Sequence, residues 1–229
     1  MARQVVARIT AWSYSRYNDY EKCPALAKYK HVDRMKEPDS PVMAHGSAVH
    51  EQAAQFITGK LKQLPEELVK VKSDMQRFHL AKAHCEEQWA FNAEWEQVDW
   101  FARDAWLRIM VDAHYLDVKK NGALRNTTVY IIDHKTGKHH PEHALQRSLY
   151  ALGAFLRYPD AKLVVVRHLY VDHGEEDSDS FKPSQLAKLK ADWLKRIAPM
   201  MNDTRFAPRP GNYCRWCFFS KAKGGPCQY

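Results

Sequence analysis

A short hydrophobic segment that ends in an acid and a lysine constrains the fold of this chain more than any other feature. The segment Val129–Ile132 is β-branched or aromatic, Asp133-His134-Lys135 follows it, and Thr136-Gly137 interrupts the pattern. We therefore predict a buried strand. Because side chains alternate along a strand, Asp133 and Lys135 point to the same face, about 7 Å apart along the strand. An isolated pair of this kind is more typical of a salt bridge on an edge strand, and only the neighbouring motifs favour a metal site.

A second apolar segment, at about residues 107–118, precedes this strand. The turn sequence between them contains Asn121-Gly122, a strong hairpin signal. Such a hairpin would bring Asp112 next to Asp133, so that two carboxylates and Lys135 share one cleft. Carboxylate oxygens are the ligands that hard divalent cations prefer. The pattern thus indicates a metal site with a lysine beside it.

The remaining segments predict helices around these strands. Ser13 is a candidate helix cap, Gly59 a helix end, and Pro141 a helix start. The order of elements predicts an α/β or α+β fold, a mixed sheet flanked by helices. Helices are expected at about 13–29, 44–58, 66–85, 141–157 and 184–201, strands at about 88–98 and 163–171, an acidic loop at 172–179, and an irregular tail from 202.

Composition narrows the class of protein. The 229 residues carry a net charge of +8, and 45% of them are hydrophobic. The positive net charge is typical of proteins that bind a polyanion. Nucleic acid is favoured over an anionic membrane surface, since no basic amphipathic helix stands out. Because the chain shows neither a membrane-spanning apolar segment nor a signal peptide, we expect a cytoplasmic protein without a membrane partner. No Walker A pattern is present, so no ATP motor is expected.

Four motifs in order resemble the PD-(D/E)XK nuclease superfamily, specifically its RecB-like branch. They are Gly46-x-x-x-His50, Asp112, Asp133-His134-Lys135 and Gln146-x-x-x-Tyr150. The resemblance implies a restriction-endonuclease-like α/β core and a Mg²⁺- or Mn²⁺-dependent deoxyribonuclease. It departs from the family in lacking the glycine that usually precedes the first acid. Asp117 is a competing first acid, but it lies five residues on and therefore on the opposite strand face.

The resemblance also implies a role for each motif residue. His50, Asp112, Asp133 and the backbone carbonyl of His134 would ligate the metal, with the His134 side chain pointing away. Lys135 would orient or deprotonate the attacking water. The catalytic set is Asp112, Asp133, Lys135, Gln146 and Tyr150, and the last two would line the site and contact DNA.

The five cysteines form a second pattern. An odd count without a secretion signal argues against disulfides, and Cys214-x-x-Cys217 with Cys227 indicates a metal or cluster site. The segment Ser13–Pro24, which contains Cys23, resembles the N-terminal helix of iron–sulfur members of the branch. That resemblance implies a 4Fe–4S cluster on Cys23, Cys214, Cys217 and Cys227, with zinc as the rival and free thiols as the third possibility. Cys85 has no partner in this scheme.

The domain organisation that follows is one nuclease domain over 1–229. In it, 1–43 and 202–229 form the cysteine region around a 44–201 catalytic core.

We expect an exonuclease acting on single- or double-stranded DNA ends in recombination, repair, phage DNA processing or CRISPR adaptation, with a recombination or CRISPR-adaptation protein as a possible partner. A non-catalytic DNA-binding module and a structural zinc protein are the alternatives. Polarity, strand preference and oligomeric state stay open. The candidate DNA contacts are Arg16, Tyr17, Lys138, Arg147 and Trp216.

Overall fold

The computed structural model describes residues 8–121 and 124–229, and its centre is a six-stranded mixed sheet. The strands lie in the order β2-β1-β3-β4-β5-β6. β4 and β5 are parallel, and the other neighbouring pairs are antiparallel. The strands are β1 (His84–Phe91), β2 (Gln97–Val98), β3 (Leu107–Asn121), β4 (Leu124–Lys135), β5 (Ala161–Tyr170) and β6 (Glu175–Phe181).

Helices flank this sheet, and α5 makes the crossover from β4 to the parallel strand β5. Ser13 caps α1 by accepting a hydrogen bond from the backbone N–H of Arg16, as predicted. Short 3-10 segments precede α4 and α6. The helices are α1 (Tyr14–Lys22), α2 (Pro24–Ala27), α3 (Pro41–Ile57), α4 (Lys72–Leu80), α5 (His143–Arg157) and α6 (Leu186–Asn202), with a π-helical turn at Lys28–Val32.

The predicted hairpin is β3 and β4, whose register runs from Ala113 opposite Ile132 to Asn121 opposite Leu124. Gly122 of the predicted turn lies outside the described residues. Ile131 and Ile132 are both fully buried, but in two different cores, because adjacent strand residues face opposite sides of the sheet. Full burial of such a side chain contributes about 1.5–3 kcal/mol.

Each face of the sheet carries its own helices. On one face Ile131 shares a core with Trp12, just before α1, and with Trp193 of α6. On the other, Ile132 shares a core with Val49 of α3 and Phe78 of α4. The predicted mixed sheet flanked by helices is therefore confirmed.

The structure corrects three predicted elements. The N-terminal helix is interrupted at Cys23, whose backbone is extended (φ −165°), as expected for a residue before proline. The predicted 66–85 helix ends at Leu80, and Cys85 lies in β1. Most of the predicted acidic loop is β6, since a charged strand is tolerated at a sheet edge.

The tail after α6 is irregular, as predicted, and contains only short 3-10 turns. Its end folds back on itself, with the Cys227 N–H donating to the Phe219 carbonyl over 2.9 Å. Gly225 is required here, since a Cβ at this position would lie 2.3 Å from the Phe219 backbone.

No helix in residues 8–121 and 124–229 has both the length and the apolar character needed to span a membrane.

Candidate active site

A cleft of about 580 Å³ opens where β3, β4 and α5 meet the start of α1. β3 contributes Asp112 to its wall, β4 contributes Asp133 and Lys135, and α5 contributes Gln146 and Tyr150. His50 of α3 lines it as well, so motif residues that are up to 100 positions apart in the chain share one cavity.

Asp112 is buried and held by two elements. Its Oδ2 accepts a hydrogen bond from the backbone N–H of His134 over 2.8 Å and lies 3.2 Å from Nδ1 of His50 on α3. Burial would raise the pKa of Asp112, but the bonds with His134 and His50 hold it well below its usual range. Burial would likewise lower the pKa of His50, but the Asp112 carboxylate raises it to about 9.

Glu86 is a site residue that the sequence did not reveal. The β1–β3 register passes from Cys85 opposite Ala113 to Glu87 opposite Val111, which puts Glu86 across from Asp112. One ligand atom each from His50, Glu86 and Asp112 lie within 4.8 Å of one another. Only the pairing register of β1 and β3 brings Glu86 close to Asp112. No local sequence pattern distinguishes Glu86 from Glu87.

Glu86 has an unfavourable backbone conformation and an unfavourable electrostatic environment. Its backbone has φ +54°, a left-handed conformation that is uncommon outside glycine. Burial raises its pKa, and the negative charge of Asp112 raises it further. A cation between the two carboxylates would relieve this repulsion.

Asp133 and Lys135 point to the same face, as the strand pattern predicted, with Nζ 2.6 Å from Asp133 Oδ2. Lys135 also donates to Oε1 of Gln146 over 2.8 Å, and the Tyr150 hydroxyl donates to Asp133 Oδ1 over 2.6 Å. Gln146 and Tyr150 are four residues apart and so share one face of α5. Burial and the charge of Asp133 raise the pKa of Tyr150 well above its ordinary value, so this phenol stays a donor.

The donor set fits a hard divalent cation. It combines two carboxylates and an imidazole at close range, a chemistry that suits Mg²⁺ or Mn²⁺. Asp133 faces the same cleft, and no described residue donates a hydrogen bond of good geometry to its buried Oδ2, although the Lys135 ammonium lies 2.6 Å away.

The side chain of His134 does not point away from the site, in contrast to the prediction. Its ring is buried, with Nδ1 3.5 Å from Asp112 Oδ2 and its centroid 5.8 Å from that of His50. Among the described residues, neither buried ring nitrogen of His134 has a hydrogen-bond partner of good geometry.

His168 on β5 is a second residue that the sequence did not indicate. It is fully buried, and its Nε2 lies 3.7 Å from Asp133 Oδ2. Burial lowers its pKa to about 4, so this imidazole is neutral near pH 7.

The five predicted DNA contacts are dispersed. Arg16 lines the cleft, whereas Tyr17 is buried in the core. Arg147 is buried, and its Nε donates to Asp179 over 2.6 Å. Lys138 and Trp216 are exposed, and neither lines the cleft. The competing acid Asp117 pairs opposite Thr128, also outside the cleft.

Four of the five cysteines line one small cavity between α2 and the tail. Cys23, Cys214, Cys217 and Cys227 surround a space of about 20 Å³. Backbone N–H groups of Arg209 and Gly211 donate to the sulfurs of Cys23 and Cys214 over 3.3 and 3.4 Å. Within the described residues, no three of these sulfurs lie within 4.8 Å of one another.

Comparisons with known proteins bear on this arrangement. The family model of the PD-(D/E)XK nuclease superfamily matches residues 11–222. No curated protein matches the chain. Two solved structures are distantly similar. The crystal structure of SSO0001 is 14% identical, with 99% of this chain and 91% of that one covered and a TM-score of 0.41. A protein from Eubacterium rectale, provisionally named an exonuclease, is 12% identical, with 94% and 87% covered and a TM-score of 0.49.

The family match spans every strand of the sheet and all motif residues in the cleft. This chain belongs to the PD-(D/E)XK nuclease superfamily.

Proposed function

We propose that this protein is a Mg²⁺- or Mn²⁺-dependent deoxyribonuclease of the RecB-like branch that degrades DNA from an end. The observation that carries the proposal is the Lys135–Asp133 pair, 2.6 Å apart, in the same cleft as the carboxylate–imidazole group of His50, Glu86 and Asp112. A non-catalytic relative would have no need for a lysine held beside such a group.

His50, Asp112, Asp133 and the His134 carbonyl are the proposed ligands, and Glu86 joins them. A divalent ion bound there would polarise the phosphate and lower the pKa of a bound water. Asp112 stays ionised because His50 and His134 hold its charge. The Asp112 carboxylate is therefore ready to bind a cation near neutral pH, whereas His50, with its pKa raised to about 9, releases a proton when the cation binds.

Lys135 is the proposed partner of the attacking water. Contacts with Asp133 and Gln146 fix its ammonium group at the cleft wall. From there it can orient the water and offset negative charge that develops on the phosphorane. Gln146 and Tyr150 hold Asp133 in position.

A DNA-degradation assay tests this proposal. Wild type and Lys135→Ala are incubated with end-labelled linear single- and double-stranded DNA and with covalently closed circles, with Mg²⁺, Mn²⁺ or excess EDTA. We expect wild type to shorten linear DNA only with metal, and Lys135→Ala to lose at least a hundredfold in rate with an unchanged unfolding midpoint. Wild-type cleavage in excess EDTA would overturn metal dependence, and cleavage of circles would overturn the need for an end.

We further propose that Cys23, Cys214, Cys217 and Cys227 hold a 4Fe–4S cluster, which would join the 1–43 and 202–229 regions around the 44–201 core. The shared cavity and the two N–H···S bonds support it, since such bonds stabilise cluster sulfurs. Tetrahedral zinc with Zn–S near 2.3 Å would need sulfurs about 3.8 Å apart. A cluster binds each cysteine to a different iron, so it does not require the close group of sulfurs that zinc needs.

Metal content tests the cluster separately from nuclease activity. We expect a brown protein with roughly four irons and four sulfides per chain, both lost in Cys217→Ser. Cys85→Ser, in β1, is the matched control and should keep them. A colourless protein containing one zinc would establish the zinc site instead.

A further inference from the structure

Two arginines line the cleft without a carboxylate partner in the part of the chain that the structure describes. Arg16 on α1 and Arg108 on β3 both face the cavity that holds Asp133 and Lys135. Arg16 donates through Nη1 to the Ala11 carbonyl over 2.7 Å, and Arg108 donates through Nε to the Trp100 carbonyl over 2.8 Å. These neutral acceptors fix the guanidinium groups but leave their charges uncompensated among the described residues, and they leave further N–H donors for a ligand.

The two charges also act on each other. Burial lowers the pKa of Arg16, and the positive charge of Arg108 lowers it further. Like charges that are held together in a cleft without an anion destabilise the empty site. A bound anion would remove this repulsion, and a guanidinium pair presents the donors that a phosphate accepts.

The strand geometry sets the position of this pair relative to the metal group. Arg108, Met110 and Asp112 lie on the same face of β3, since they are two residues apart. Arg108 is therefore about 13 Å along the strand from Asp112. A phosphate held there belongs to a nearby nucleotide, not the scissile one, of the strand whose backbone reaches the metal group.

An aromatic surface adjoins the arginines. Trp100 lines the cleft with its ring 5.7 Å from the Arg108 guanidinium carbon. Phe101 beside it is 87% exposed, and Met110 is 41% exposed. Basic groups combined with exposed aromatic rings are the features that bind unpaired nucleotides, because a ring can stack on any free base.

We propose that Arg16, Arg108 and Trp100 form a nucleotide subsite of the active-site cleft. The arginines bind a phosphate near the scissile one, and Trp100 stacks on the base of that nucleotide. This inference rests on the proposed nuclease function and adds the substrate class, a strand that is unpaired where it passes Trp100.

Binding measurements on the full-length chain carrying Lys135→Ala test the subsite without cleavage. Fluorescence anisotropy with a labelled single-stranded oligonucleotide gives Kd at several salt concentrations. We expect Arg108→Gln and Arg16→Gln each to weaken binding on the order of tenfold and to reduce the slope of log Kd against log salt by about 0.7, the value for one phosphate contact to a single strand. Arg196→Gln, which removes one exposed charge from α6, is the matched control and should change neither.

A scan with abasic sites tests the stacking. One abasic nucleotide is moved along the oligonucleotide, and we expect one position at which it weakens binding to the Lys135→Ala chain severalfold or more. In the Trp100→Leu background that position should lose its sensitivity. If it stays equally sensitive there, Trp100 does not stack on a base.

The outcomes separate this inference from the proposed function. If wild type degrades DNA but the arginine variants bind like the Arg196→Gln control, the subsite is wrong and the nuclease proposal stands. If wild type neither binds nor degrades DNA, both fail. Unfolding midpoints within 2 °C of the parent confirm that the variants fold, since a 1 kcal/mol change in a chain of this size shifts the midpoint by about 2–4 °C.

Discussion

The carboxylate of Asp112 accepts a hydrogen bond from the backbone N–H of His134, 2.8 Å away. Because this bond crosses from β3 to β4, it fixes the first acid of the site relative to the strand that carries Asp133 and Lys135. The same carboxylate faces His50 on α3. One side chain therefore serves both the folding of the hairpin and the proposed metal site.

Two substitutions of Asp112 should separate these roles. Asp112→Asn keeps an acceptor for the His134 N–H, so we expect an unfolding free energy within about 1 kcal/mol of wild type but no metal-dependent cleavage. Asp112→Ala leaves the N–H buried without a partner, which costs a further 1–3 kcal/mol or so. Urea unfolding together with the cleavage assay measures both effects. Equal stability of the two variants would show that the hydrogen bond contributes little.

Glu86 is expected to contribute to metal binding but to lower the stability of the fold. Glu86→Asn removes the charge but tolerates φ +54°, and Glu86→Gly relieves the backbone strain, whose cost is on the order of 1–3 kcal/mol. We expect both variants to bind Mn²⁺ on the order of tenfold more weakly by calorimetry and to be at least as stable as wild type. Glu94→Gln, in the exposed turn after β1, is the control. Unchanged Mn²⁺ affinity in both Glu86 variants would remove Glu86 from the ligand set.

His114 should make the fold sensitive to acid. It is fully buried on β3, bonded to the Tyr158 hydroxyl over 2.7 Å, stacked on His84 and 3.8 Å from the Glu87 carboxylate. Burial lowers its pKa to about 4. Between pH 6.5 and 4 the unfolded chain therefore binds a proton that the native protein does not, and stability is lost as the pH falls, by up to about 3 kcal/mol.

Unfolding free energies measured from pH 7 to pH 4 check this prediction. His114→Gln should flatten the pH dependence in that window, while His173→Gln, an exposed histidine after β5, should leave it unchanged. An identical slope in wild type and His114→Gln would contradict the assignment.

Arg147 should support the structure rather than contact DNA. Its guanidinium is 9% exposed, donates to Asp179 over 2.6 Å and lies 3.3 Å from His168 Nδ1. We expect Arg147→Ala to lower the unfolding free energy by about 2 kcal/mol, since Asp179 and the buried His168 lose their partner. In the Lys135→Ala background its Kd for DNA should stay within about twofold. Weaker binding with unchanged stability would instead support the direct DNA contact that the sequence suggested.

Sequence by itself determined the parts of this protein that depend on local periodicity. The continuous apolar segment before Asp133, the Asn121-Gly122 turn signal and the cap at Ser13 each predict an element from neighbouring residues, and β3, β4 and α1 follow them. The motif order identified the superfamily, which the family match over residues 11–222 confirms. The charge of β6 concealed an edge strand, because edge strands carry polar residues that resemble a loop.

Only the tertiary structure decided which of these residues meet. Glu86 is next to Asp112 because β1 pairs with β3 in one register, and a shift of one residue would turn it to the other face. His168 lies near Asp133 because β5 is parallel to β4. Burial likewise separates Arg16, which lines the cleft, from Arg147, which is bonded inside the protein. These relations depend on long-range strand pairing and packing, which no local pattern in the sequence encodes.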